Sequence, residues 1–357
     1  MRILHVVNDA ETGGAQTLIE ALGRQKSPGD EFHLLVLMTE GALSSRFSRI
    51  ADSVTYAGMK QRDLNPLGAI RALRGIVRER RIDLIHSHLM QSDLISLLTP
   101  MKAARLSTVH SSASYETRGA SQLVRKAVVR LSGRFDAVVA CSPSAHDYLS
   151  TSGYRRKAET IFNGTLLQTR SDDPATPGDR LVHLGRWHQV KDHGNLFAAL
   201  KLLSKTHPQV RLDCAGLGID SANQELQELL VRHQVADIVT THGSVSQVGL
   251  LLEQAKGMVI SSSHEALPMA GIEALGSGLP VVTTDVGDCS ELAIGPDYLV
   301  PARNPEQLAA ALAKLLDLEP TDYRQARENA RALAEEKFDE RVTAASYHAL
   351  YQAITHP

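Results

Sequence analysis

The chain has 357 residues, 43% of them apolar, with 38 Lys and Arg against 40 Asp and Glu and a formal charge of −2. This length suits two domains of the usual ~100 to 200 residues, and the apolar content supplies two cores, which excludes a disordered or fibrous chain. No run approaches the ~20 apolar residues of a membrane-crossing helix, and the start is shorter than the ~7 to 15 of a signal-peptide core. Cys141, Cys214 and Cys289 are odd in number and far apart, so they read as packing residues in a cytoplasmic protein, not as a disulfide framework or zinc site.

In the first half "RILHVV" (2–7), "FHLLVLM" (32–38), "DLIHSH" (83–88), "LSTVH" (106–110), "DAVVACS" (136–142) and "ETIFNG" (159–164) read as short buried strands. Helical stretches at 66–80, 90–103 and 118–134 separate them, and this alternation predicts a parallel sheet covered on both faces. Gly13 and Gly14 fall between the first strand and the first helix, where bare backbone can approach a phosphate or a sugar, although the pair also suits a plain tight turn. His86, His88 and His110 each fall near a strand's end. Singly each reads as a structural histidine, and together they suggest a polar binding rim.

Charge divides the chain. Residues 1–170 carry 23 Lys and Arg against 15 Asp and Glu, and residues 171–357 carry 15 against 25. Between Glu116 and Asp136 lie Arg118, Arg125, Lys126, Arg130 and Arg134 with no acid, interleaved with apolar positions. Such a segment forms either a solvated helix face or a surface that rests on anionic lipid.

The periodic pattern breaks at "LLQTRSDDPATPGD" (166–179), which places one domain at 1–168 and a second at 169–357, with the last helix, about 339–356, free to pack back on the first. Beyond the break "RLVHLG", "VRLDCAG", "DIVTTHG", "GMVISSS" and "PVVTTD" restart the strand pattern. The expected fold class is therefore α/β, two doubly wound parallel-sheet, Rossmann-like domains facing a cleft at the carboxyl ends of their strands.

Arg186 and Lys191 follow the strand ending at Gly185. A guanidinium fork and a compact ammonium suit a leaving diphosphate, although two basic loop residues are also ordinary surface. Asp192 is placed to cap the next helix. No Asp-x-Asp occurs to hold a divalent ion on a diphosphate, so no metal is expected. G-x-G-x-x-G is missing from both halves. In "HEALPMAGIEALGSGLP" (264–280) Glu265 follows a strand, Pro268 suits the first position of a helix without a capping side chain, and Glu273 is the only charged residue of that helix. Uncapped amides can meet an anion, and a buried carboxylate needs donors, which a ribose diol or an arginine would supply.

With these residues in hand, the chain resembles the retaining glycosyltransferases of family 4, of GT-B architecture, over nearly its whole length. The resemblance rests on Glu265-x7-Glu273, Gly185-Arg186 with Lys191, Gly13-Gly14, "TVHSS" and "IFNG". It implies that Arg186 and Lys191 bind the donor diphosphate, that Glu273 holds the ribose and that Glu265 lies at the donor sugar. It also implies that His110 contacts the sugar, that the "HGSV" loop with His242 and Ser244 lies near the base, and that the amides around Met269 and Ala270 meet donor oxygens. Ala266 stands where a Gly often follows the first Glu, and Ala15-Gln16 where an acid is frequent.

The resemblance implies transfer of a hexosyl or N-acetylhexosaminyl group, with retention and without metal or other cofactor, from a nucleotide diphosphate sugar to a hydroxyl in cell-envelope or polysaccharide synthesis. The expected partners are the donor, an acceptor sugar or lipid-linked carrier, and an anionic membrane surface through 118–134 at the inner face of the membrane; no nucleic acid is expected. The competing readings are an epimerase or phosphorylase of the same fold and a non-catalytic nucleotide- or sugar-binding protein.

Overall fold

A computed structural model describes residues 1–11, 13–60, 65–110, 120–167, 178–245 and 247–355. Its contacts divide the chain into two compact units, Met1–Thr165 with Glu340–Pro357, and Leu166–Asp339. The second unit thus ends at Asp339, and the last helix counts with the first.

The first unit runs β1 (Arg2–Val7), α1 (Gly14–Arg24), β2 (Glu31–Val36), α2 (Ser44–Ile50), β3 (Ser53–Tyr56), α3 (Leu67–Glu79), β4 (Leu84–His88), α4 (Met90–Leu98), β5 (Ala104–Val109), α5 (Ala120–Leu131), β6 (Ala137–Ala140), α6 (Pro143–Thr151) and β7 (Ala158–Thr160). All pairings are parallel, in the order β3-β2-β1-β4-β5-β6-β7. The apolar runs are nearly continuous because helices cover both faces, so no strand needs a polar side. The edge strand β3 is half-buried and too short to announce itself. The helix expected to run to 103 stops at Leu98, because Thr99 turns extended ahead of Pro100. The basic helix starts at Ala120 and ends at Leu131 in a short 3-10 turn, and Arg118 lies outside the described residues.

The C-terminal helix, Glu340–Thr355, buries Tyr347 and Tyr351 among Leu18, Phe47 and Leu106 of this unit. Arg24 Nη2 donates to Glu340 Oε2 at 2.6 Å, and Thr108 Oγ1 lies 2.9 Å from the Tyr347 hydroxyl. His86 accordingly does not lie on a rim. It sits in mid-strand, fully buried, between the Tyr351 hydroxyl and Thr108 Oγ1, each at 2.7 Å.

The second unit runs β8 (Arg180–Leu184), α7 (His193–Leu203), β9 (Arg211–Ala215), α8 (Gln224–His233), β10 (Val239–Thr241), α9 (Gly249–Gln254), β11 (Gly257–Ile260), α10 (Met269–Gly276), β12 (Val281–Thr284), β13 (Leu299–Val300), α11 (Pro305–Leu316) and α12 (Pro320–Lys337). Its sheet is also parallel, in the order β10-β9-β8-β11-β12-β13. Leu181, Val259 and Val282 of the central strands meet Phe197 of α7 and Leu312 of α11 in one core. Asp192 caps α7 through the amide of Asn195, and Asn304 with Pro305 starts α11, so local chemistry sets where these helices begin.

Candidate active site

In the second unit the loops leaving the carboxyl ends of β8, β9 and β10 are laced together by their backbones. The Gly185 amide donates to Ala215, Trp187 to Leu217, Gly216 to Gly243 and Gly243 to Ile219, at 2.7–2.9 Å. So close an approach needs glycine. Gly216 has φ +149°, and a Cβ there would lie 2.1 Å from the Gly185 carbonyl oxygen. Arg186 rides on this wall, exposed and without a side-chain partner among the described residues. His242 and Ser244 follow β10 on the same wall. His242 Nε2 lies 2.7 Å from Oδ1 of the buried Asp213, whose other oxygen accepts from Arg180 at 2.6 Å, while Ser244 is exposed.

After Arg186 a single 3-10 turn, Gln189–Lys191, brings the chain back over the ends of the central strands. Ser261 Oγ donates to the Lys191 carbonyl at 2.9 Å and the Ser263 amide to that of Val190 at 2.8 Å, which anchors this turn on the chain leaving β11. Lys191 Nζ then reaches Glu265 Oε1 at 2.5 Å, and Ser262 Oγ donates to the same oxygen at 2.7 Å. Thr284 at the end of β12 holds the Ser262 carbonyl at 2.6 Å. Gly287, at φ +55°, lets the following turn pass so close that a Cβ would lie 2.0 Å from the Glu265 carbonyl oxygen. Three strand ends therefore fix one carboxylate.

Glu265 leads to α10. The helix begins at Met269, one residue later than expected, with Pro268 in the capping position and no side-chain cap. Gly271 donates back to the Pro268 carbonyl at 3.0 Å, which leaves the Met269 and Ala270 amides without an acceptor among the described residues. Ile272, Ala274 and Leu275 bury one side of α10, and Gly271 sits where a Cβ would meet Leu292 at 2.4 Å. Glu273 is half-buried, and its carboxylate has no partner among the described residues. Burial raises its pKa above the ordinary carboxylate value because nothing compensates the lost water.

In the first unit Gly13 caps α1 in an extended conformation, and Gly14 opens the helix. Gln16 spans the turn to Asp9, with Nε2 2.8 Å from Oδ1. His110 follows β5 and joins a row of imidazoles, His110 Nε2 to His88 Nδ1 at 3.3 Å and His88 Nε2 to His5 Nδ1 at 3.1 Å. Burial lowers His110 to about 4 and His5 to about 3, so the row is neutral. Ser111 and Ser112 of "TVHSS" lie outside the described residues. His5, His86 and His88 bring donor nitrogens within 4.8 Å of one another, but both nitrogens of His86 are engaged and His5 and His88 share a hydrogen bond, so no ligand set stands open among them.

The structure thus joins Lys191 to Glu265, sets Arg186, His242 and Ser244 on one wall of interlaced loops without a side-chain bond between them, and leaves Glu273 apart on α10. Sequence reasoning missed the serines at 261–263, Thr284 and Gly287. The serine run directly after a strand was a visible signal for the first three.

Two family models match this chain, Glycosyltransferase Family 4 over residues 12–168 and Glycosyl transferases group 1 over residues 178–318. A GDP-mannose:cellobiosyl-diphosphopolyprenol alpha-mannosyltransferase of Xanthomonas oryzae is 25% identical over 300 residues, 80% of this chain and 79% of its own. A glycogen synthase of Mycobacterium tuberculosis is 27% identical over 295 residues, 78% and 70% of the two chains. Among solved structures, Anabaena HepE in complex with UDP superposes with a TM-score of 0.84 at 19% identity, over 99% of this chain and 100% of that one. Two Rossmann-like units, each carrying a glycosyltransferase family match, define the class: this chain is a glycosyltransferase of the GT-B type.

Proposed function

We propose that the protein transfers a hexosyl or N-acetylhexosaminyl group from a nucleotide diphosphate sugar to an acceptor hydroxyl, with retention of anomeric configuration and without a metal or other cofactor. The observation that carries this reading is the Lys191–Glu265–Ser262 cluster over the ends of β8 and β11, followed on α10 by Glu273, whose carboxylate has no partner among the described residues. Glu273 is assigned to the two ribose hydroxyls, whose donors would satisfy its carboxylate. Arg186, Lys191 and the free amides of Met269 and Ala270 are assigned to the diphosphate, where they stabilise the charge that develops as the glycosidic bond breaks. Glu265 is assigned to the sugar, His242 and Ser244 to the base, and Gly13, Gly14 and His110 of the first unit to sugar and acceptor.

In this reading the acceptor attacks the face that the diphosphate leaves, and the leaving phosphate oxygen takes the acceptor's proton. A double displacement through two carboxylates is disfavoured, because Glu273 is committed to the nucleotide. The Xanthomonas relative's name describes a diphosphopolyprenol acceptor, and the Anabaena structure holds UDP; a lipid-linked acceptor in envelope polysaccharide synthesis is the corresponding proposal here. The basic α5 would then rest on anionic lipid.

Thermal-shift screening with uridine and guanosine diphosphate sugars identifies the donor, and NMR of the product's anomeric proton reads the stereochemistry. Inversion would defeat the mechanism. Donor turnover that needs no acceptor would instead favour an epimerase.

A further inference from the structure

The cations of α5 do not simply line a solvated face. Arg125, Lys126 and Arg130 converge with Arg155, from the loop before β7, on a concavity of about 420 Å³ floored by Val129 and by the turn at Ser152–Gly153. Among the described residues none of the four has a side-chain hydrogen bond or ion pair, and no acid lines the space. Gly153, at φ +85°, ends α6 and turns the chain so that Arg155 comes back over α5. The turn is anchored, since the Arg155 amide donates to Ser132 Oγ at 2.8 Å. Arg125 Nε is buried and has no acceptor among the described residues, a cost of the kind that a bound anion removes. Diffuse attraction to a membrane would require neither a concavity nor a fourth cation from a separate segment.

We propose that this concavity is a discrete phosphate-binding pocket, with Arg125, Lys126, Arg130 and Arg155 gripping the phosphate of a lipid headgroup or of a free diphosphate anion. The proposal builds on the reading that α5 faces anionic lipid, and it differs from it in assigning a shaped site. Guanidinium forks hold phosphate oxygens with directional bonds, so the loss of one should cost more than the loss of an equal charge nearby.

The test uses the full chain carrying Arg186→Ala and Lys191→Ala, which removes the cations proposed for the donor. Binding of inorganic pyrophosphate is measured by calorimetry. Binding of vesicles is measured by sedimentation, with phosphatidylglycerol in phosphatidylcholine against phosphatidylcholine alone. Arg155→Gln is compared with Lys157→Gln, an exposed cation outside the pocket. The pocket predicts that Arg155→Gln weakens at least one probe by about 10-fold or more while Lys157→Gln changes it less than about 2-fold. If the selective loss falls on anionic vesicles, the ligand is a lipid headgroup; if it falls on pyrophosphate alone, it is a free anion. Equal behaviour of the two variants on both probes, or no binding of either probe, overturns the pocket. Because no arm depends on turnover, the result is independent of the glycosyl-transfer reading.

Discussion

Lys191 Nζ lies 2.5 Å from Glu265 Oε1, an ion pair formed across 74 residues and joined by Ser262 Oγ at the same oxygen. The other carboxylate oxygen has no side-chain partner among the described residues. In the proposed reaction Lys191 serves the diphosphate and also orients the acid at the sugar. Glu265→Gln should therefore lower turnover by about 100-fold with little change in nucleoside diphosphate affinity, and Lys191→Ala should lower turnover at least as far. Comparison of kcat with the dissociation constant of the nucleoside diphosphate checks this division of roles; an equal loss in both for Glu265→Gln would contradict it.

Glu273 couples stability to function. Its folded pKa is raised by burial, so the folded state holds the proton more tightly than the unfolded chain. Its contribution is most favourable below the unfolded value and is lost as pH rises through the raised folded one. Glu273→Gln should consequently raise the melting temperature of the ligand-free protein at neutral pH. The same change should raise the donor KM by about 10 to 100-fold, as expected for a charged hydrogen bond of ~1.5 to 3 kcal/mol. Calorimetry and steady-state kinetics on one preparation measure both, and a destabilised variant with unchanged KM would refute the assignment.

Gly287 offers a test of position that leaves every functional group in place. Adding a Cβ at φ +55°, 2.0 Å from the Glu265 carbonyl, must displace one of the two turns. Gly287→Ala should cost about 1 kcal/mol or more in stability and reduce turnover about 10-fold or more, since small misplacements of a reacting group are expensive. Wild-type turnover in this variant would show that the position of Glu265 is not critical.

With Arg186 and Lys191 assigned in place of a divalent ion, activity should persist in excess EDTA. Arg186→Ala should lose at least about 100-fold in turnover through lost charge stabilisation. Activity abolished by the chelator and restored by magnesium or manganese would replace this account with a metal-dependent one.

The buried histidines predict acid sensitivity. His5 and His110 are lowered to about 3 and about 4, and His86 and His88 well below 6.5, in each case chiefly by burial. Groups with lowered folded pKa stabilise fully above the unfolded value, and that stability fades as pH falls through ~6.5 towards the folded values. His5 and His110 should each lose about 1 kcal/mol between pH 7.5 and 5.5, and His86 and His88 change stability in the same direction. Asp93, raised to about 7 by burial, works in the opposite sense over this window and offsets about one histidine. A net fall in stability should appear in the urea unfolding of the first unit, and a flat profile would mean that the row is not neutral and buried in solution.

The strand and helix alternation, the two parallel sheets and the beginnings of many helices were written locally. Buried strands in α/β domains are continuous apolar runs, and Asp192, Asn304 and Pro305 start helices through bonds to their own neighbours. Glu265, Glu273, Arg186 and Lys191 could be singled out because each follows a strand or lies alone on an apolar helix. The edge strands β3 and β13 escaped because four half-buried residues and two residues carry too little periodicity.

Pairing was decided only by the tertiary structure. His86 looks like a rim residue until Tyr351, 265 positions away, covers it, and the C-terminal helix joins the first unit because its tyrosines and Glu340 find partners there. Lys191 and Glu265 meet because β8 and β11 are adjacent in the sheet, and strand order is invisible to any local window. Local spacing sets which faces are apolar and where backbone turns, whereas the energy of a buried polar group depends on a partner supplied from a distant part of the chain.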